Sequence, residues 1–195
     1  MKVPARLILA SVSPRRRELL SRMKLSFEVI PAAVEEDDSG SEGPEAMVCA
    51  NACLKAGVVA KAFTASLVLG SDTTVALGDR IFSKPASLDE ARAMLRDLSG
   101  REHVVYTAVA LKWEEGGLDE HFIEASRVRF CVLDEERIEA YFRLVNPLDK
   151  AGAYGIQEGR EMIIEAVEGS VENVMGLPIQ RLAQWLEAKG FDFTA

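Results

Sequence analysis

The sequence predicts an α/β fold built on a mixed sheet. Short apolar runs of strand character alternate with segments that carry helix caps, which is the pattern of an α/β layer structure. One long pair of apolar runs flanks a Gly-rich turn and reads as an antiparallel hairpin, so the sheet cannot be purely parallel. The 195 residues contain no repeat and no low-complexity linker, and a chain of that length buries a substantial core without staples, so a single domain over residues 1–195 is expected.

The elements follow in order. Residues 6–10 read as a short buried strand. Ser13 and Pro14 then stand as N-cap and first position of a helix to about Met23. "FEVI" at 27–30 is a second strand, and the acidic, Gly- and Ser-rich "VEEDDSGSEGP" is expected to be a mobile loop. Pro44 opens a helix to about Phe63, after which "LVLG" runs as a strand into Asp72 and "TTVAL" continues it to a turn at Gly78-Asp79 before "IFSKP". In "SLDEARAMLRDLSG", Ser87 and Glu90 form a capping-box pattern and Ser99-Gly100 stops the helix. "REHVVYTAVALKW" and "HFIEASRVRFCV" are the two hairpin strands around "EEGG". Asp134 starts a helix to about Leu144, and Pro178 starts the last one, which Gly190 ends.

Composition narrows the function classes. A net charge of −8 argues against a protein that coats nucleic acid or anionic membrane, since both favour a positive surface. Three cysteines and two histidines give no even disulfide framework and no tight metal-ligand cluster, and Cys49 and Cys53, four apart in a helix, read as small core residues in preference to a metal or redox pair. There is no signal-peptide pattern and no apolar stretch near the roughly 18 residues of a membrane span. A reduced, cytoplasmic protein is expected.

Several residues carry candidate chemistry. "LILASVSPRRRELLSRM" places Arg15, Arg16 and Arg17 in a helix first turn, where the peptide dipoles favour anions instead. An anion bound there would reverse the sign, with Ser11, Ser13, backbone N–H groups and guanidinium forks as donors. A solvated basic turn paired with surface carboxylates is the other reading. The Walker motif is absent. Asp72 sits inside the apolar run "SLVLGSDTTVAL", where a carboxylate is costly unless paired, hydrogen-bonded or metal-bound. It either caps backbone through a bend at Gly70 or faces a cleft as metal ligand or general base. Lys55 and Lys84 read as snorkelling surface lysines or as site cations. In "DKAGAYGIQEG" three glycines mark tight bends or close approach to a ligand, and Gln157 either reads a base edge or stabilises the loop.

Six blocks, "LASVSPRRRELL", "GSDTTVAL", "SKPASLDEARAMLRDLSG", "YTAVAL", "DKAGAYGIQ" and "NVMGLP", occur in an order that resembles the Maf family of nucleotide pyrophosphatases, known historically as septum-formation inhibitors, from about residue 7 to residue 188. The resemblance implies a two-lobed mixed α/β fold around a deep cleft, similar to the inosine triphosphate pyrophosphatases, and often a homodimer. It implies metal-assisted hydrolysis of nucleoside triphosphates to monophosphate and pyrophosphate, with a divalent cation such as Mg2+ or Mn2+. By matching positions, Asp72 takes the place of the catalytic proton acceptor. Lys55 and Lys84, with Ser11, Arg15 and Arg16, match the phosphate-side residues, and Glu36 matches a carboxylate that shares the metal with Asp72. The chain departs from the family at Ser83, where a glycine is common, and in "GSVENVMGLP", which lacks an aromatic after Gly-Ser. The 7-methyl-GTP subgroup commonly has tryptophan at the position of Arg15, glutamine after the catalytic aspartate and a different block in place of "AGAYGIQ". Arg15, Thr73 and Gln157 therefore resemble the dTTP/UTP subgroup, whose role is removing non-standard or excess nucleotides. The alternative from the historical name is a non-catalytic nucleotide-binding regulator of cell division, which would not require Asp72.

Overall fold

The computed structural model describes residues 3–194. Its strands are β1 (Leu7–Leu9), β2 (Phe27–Val29), β3 (Leu67–Leu77), β4 (Arg80–Phe82), β5 (Glu102–Trp113), β6 (Leu118–Phe130) and β7 (Ile164–Glu168). The helices are α1 (Pro14–Arg22), α2 (Pro44–Ala62), α3 (Leu88–Leu98), α4 (Glu135–Phe142), α5 (Arg160–Ile163), α6 (Val171–Met175) and α7 (Ile179–Lys189). The sheet order is β2-β1-β3-β5-β6-β7, with β4 pairing β3. β1 pairs parallel to β2 and to β3, while β3–β4 and β6–β7 are antiparallel, so the sheet is mixed as expected.

The chain divides into two compact units. The first comprises residues up to 72 with 107–124 and 176 onward. Its centre is β1, whose Leu7, Ile8 and Leu9 are all fully buried, as a parallel strand covered on both faces requires. Ser13 caps α1 by accepting the Arg16 N–H, and Pro14 fills the first position, where a missing N–H costs nothing. The expected mobile loop before α2 has no regular structure, yet it is pinned at Asp37, whose backbone N–H and carbonyl are both held by the Asn51 amide at 2.9 Å. Gly190, at φ 67°, ends α7 in the left-handed conformation that favours glycine.

The second unit comprises residues 73–106 and 125–175. α3 begins at the expected capping box, with a shift: Ser87 Oγ accepts the Glu90 N–H, while the Glu90 carboxylate reaches one residue further back, to the Ala86 N–H at 2.7 Å. Arg92–Glu139 and Arg96–Glu135 join α3 to α4 at the surface, where such pairs contribute little. The sequence reading had no counterpart for β4, β7, α5 and α6. Gly152 has φ 68° and a Cβ there would lie 3.1 Å from Val75, so the glycine serves close packing on β3.

This unit also buries His103, whose Nε2 lies 2.7 Å from the Tyr154 hydroxyl and whose ring meets Phe130 and Tyr154 edge-on. Burial pushes the imidazole down to about 4. A histidine held neutral contributes stability above its unfolded pKa, near 6.5, and loses it as pH falls toward the folded value. Acidification from pH 6.5 to about 4 is therefore expected to cost up to about 3 kcal/mol through this group. His103→Gln, which keeps a partner for Tyr154, should show a shallower loss over that window; equal slopes in urea melts of the two proteins would refute the assignment.

Candidate active site

The site grows from the contact of β3 with α2. Gly70 lies within the strand, not at a bend, and a Cβ there would sit 2.3 Å from the Ala52 carbonyl oxygen and 2.7 Å from the Ala56 N. Only glycine lets the strand backbone approach α2 this closely. The consequence falls two residues later. Asp72, 9% exposed, meets two polar side chains one turn apart on the helix, Asn51 and Lys55.

Lys55 Nζ donates to Asp72 Oδ1 at 2.8 Å and to Glu36 Oε2 at 2.5 Å, and Asn51 Nδ2 donates to Asp72 Oδ2 at 3.1 Å. Lys55 is buried, so the snorkelling reading is set aside for it. Glu36 rather than its neighbour Glu35 makes the link to Lys55. Asn51 was missed in the sequence; the available signal was a polar residue one turn before Lys55 in a helix of small apolar residues.

The basic turn of α1 belongs to the same unit. Arg16 Nε donates to the Gly176 carbonyl at 2.9 Å, and that carbonyl also accepts from Ser71 Oγ at 3.1 Å. Arg16 Nη1 reaches Ser11 Oγ at 3.4 Å, an oxygen that also accepts the Ser13 N–H at 3.2 Å. Loss of hydration lowers the Arg16 guanidinium from its ordinary value, against the attraction of Asp72 and Glu36. Arg17 is exposed and lines a groove of about 430 Å³ with Ser11, Val12, Ser13 and Val29. The structure thus brings Ser11, Arg16, Glu36, Lys55 and Asp72 into one electrostatic network. Arg15 is half-buried beside it on α1, Thr73 follows Asp72 along β3, and Lys84 and Gln157 are exposed residues of the second unit.

A family model described as Maf-like protein matches residues 6–189. The chain belongs to the Maf family. Relatives include the dTTP/UTP pyrophosphatase of Myxococcus xanthus, 45% identical over 94% of this chain and 92% of that protein. The dTTP/UTP pyrophosphatase of Bacillus cytotoxicus is 44% identical over 95% of each chain. In fold, this Maf protein is similar to the Staphylococcus aureus Ham1 protein, with a TM-score of 0.56 at 14% identity, covering 94% of this chain and 98% of that one.

The carboxylates of the Maf site also fit a divalent cation. Asp72 and Glu36 already converge on one positive charge, the Lys55 ammonium, and they offer hard oxygen ligands. Two carboxylates completed by water and substrate phosphate make the set that Mg2+ takes. Burial and the neighbouring Cys49 push the Cys53 thiol up to about 11, away from the thiolate that attacks.

Gly70→Ala tests the strand-helix contact on which the site depends. The backbone clash should cost about 1–3 kcal/mol, the range for overpacking, and should lower activity in the molecules that still fold by moving Asp72 off Lys55. A thermal melt and a steady-state assay read both effects, and an unchanged melting temperature would contradict the packing argument.

Proposed function

We propose that this chain hydrolyses nucleoside triphosphates, dTTP and UTP foremost, to the monophosphate and pyrophosphate, and so removes non-standard or excess nucleotides. The observation that carries the reading is the buried Asp72 carboxylate, fixed by Asn51 and Lys55 beside the Arg16 guanidinium. Each Asp72 oxygen has one protein donor, and a carboxylate oxygen has a second lone pair to offer a water proton. Asp72 orients a water and takes its proton as the oxygen attacks the α-phosphorus. The bond from that phosphorus to the oxygen bridging to the β-phosphate breaks, and pyrophosphate leaves with the electron pair.

Cations aimed at the developing charge stabilise this transition state. Arg15, Arg16 and Lys55 supply them from the first unit, with Ser11 as a polar contact to the phosphates. A divalent ion held by Asp72 and Glu36 would add charge neutralisation on the phosphate chain. The roles of Lys84 on phosphate, and of Thr73 and Gln157 on the base side, rest on the family resemblance. A homodimer rests on that resemblance too, whereas a cytoplasmic location rests on the composition. No helix among the described residues is long and apolar enough to cross a membrane.

The Gln157 amide offers a donor and an acceptor, matching the carbonyl and imide N–H of thymine or uracil, whereas cytosine presents another pattern. Catalytic efficiency should be at least ~10-fold higher for dTTP and UTP than for CTP or 7-methyl-GTP, and Gln157→Ala should narrow that gap more than it slows turnover. A preference for 7-methyl-GTP would overturn the pyrimidine assignment. No pyrophosphate release from any of the four, with divalent metal present, would favour the non-catalytic regulator.

A further inference from the structure

We propose that Cys49, Cys53 and His121 form a second metal site, one that takes a thiolate-seeking ion of the zinc class and is separate from the carboxylate site. Their Sγ, Sγ and imidazole nitrogen atoms all lie within 4.8 Å of one another, from two elements of the same unit. A tetrahedral zinc ion, about 2.3 Å from sulfur and about 2.0–2.1 Å from nitrogen, needs ligand atoms roughly 3.5–3.8 Å apart, so a small rotamer adjustment closes the triangle.

The placement follows from two periodicities. Cys49 and Cys53 are one turn apart and share a face of α2. Asn51 and Lys55, each two residues further along, fall about half a turn around the helix axis on the opposite face. The cysteine face continues to Gly57, where a Cβ would lie 3.7 Å from Lys112 Nζ of β5. Lys112 in turn pairs with Asp119 of β6 at 2.7 Å. Asp119 and His121 project from the same side of β6, while Glu120, between them, turns to Trp185 on α7 at 2.9 Å. The hairpin therefore delivers its histidine to the cysteine pair.

Ligand chemistry decides which ion this is. Two thiols and an imidazole select zinc-like ions, whereas the carboxylates of Asp72 and Glu36 select magnesium-like ones. His121 is exposed and both cysteines are half-buried, so an ion can enter from solvent, with its fourth position left to water. Bound there, the ion would tie α2 to the β5–β6 hairpin and so stiffen the helix that carries Lys55.

Cobalt(II) is the probe, added to reduced, untagged, metal-stripped protein. The expected result is a thiolate-to-cobalt charge-transfer band that saturates at one ion per chain and is displaced by zinc. Cys53→Ser should lose the band, His121→Gln should weaken binding, and Asp72→Asn should keep the band unchanged because carboxylates give none. Zinc should raise the thermal midpoint of the parent protein and leave that of Cys53→Ser where it was, with circular dichroism verifying that this variant folds. Absence of the band in the parent protein, or its persistence in Cys53→Ser, would overturn the proposal.

Discussion

Asp72→Asn lowers turnover at least ~100-fold while the protein stays folded, the low end of what losing a general base costs. Asparagine preserves the shape, so the comparison isolates charge and basicity. Lys55 Nζ and Asn51 Nδ2 donate to different oxygens of the carboxylate, so the new amide turns an NH2 toward one of them, and the Asn51 amide is already fixed by the Asp37 backbone. One donor is therefore underserved, at a cost of about 1–2 kcal/mol. Lys55 keeps Glu36 as its counter-charge, which limits the damage. A steady-state pyrophosphate assay beside a thermal melt checks both halves of this outcome. A folded Asp72→Asn variant with near-normal turnover would remove Asp72 from the chemistry.

Lys55→Met carries the largest expected loss of stability. The ammonium sits between Asp72 and Glu36 with its side chain 9% exposed, and methionine of similar length leaves the two carboxylates facing each other without it. Breaking a buried pair by removing one partner costs about 3–5 kcal/mol. Glu36, with its side chain 37% exposed, can turn toward water, which places this case near the lower figure. About 3 kcal/mol corresponds to a fall of roughly 6–12 °C in melting temperature for a chain of this size. Turnover should fall by at least ~100-fold as well, because the variant loses both a phosphate-side cation and the group that orients Asp72. A melting temperature within a degree of the parent protein would show that the pair contributes no net stability.

How much of this was legible in the sequence varies residue by residue. Asp72 announced itself, since a carboxylate in an apolar strand needs a partner, and the strand from "LVLG" through "TTVAL" runs as expected. Lys55 did not, because a lone lysine in a helix looks the same whether it snorkels or is buried. Which of Glu35 and Glu36 reaches it depends on the path of a loop without periodicity. Gly70 figured in the sequence only as a bend in one of the two accounts of Asp72; its reason is an approach to Ala52 and Ala56 that no local pattern encodes. The α1 arginines posed the right question, yet part of the answer, Arg16 on the Gly176 carbonyl, joins residues 160 positions apart. The short α5 and α6 lack the length for a periodic signal, and β7 mixes exposed and buried positions too weakly to stand out.

Hydrolysis of dTTP in ¹⁸O-labelled water, with the products resolved by mass, tests the central claim most directly. An Asp72-directed water attacking the α-phosphorus yields dTMP carrying one ¹⁸O together with unlabelled pyrophosphate. Label in the pyrophosphate, or release of dTDP and inorganic phosphate, would contradict the account.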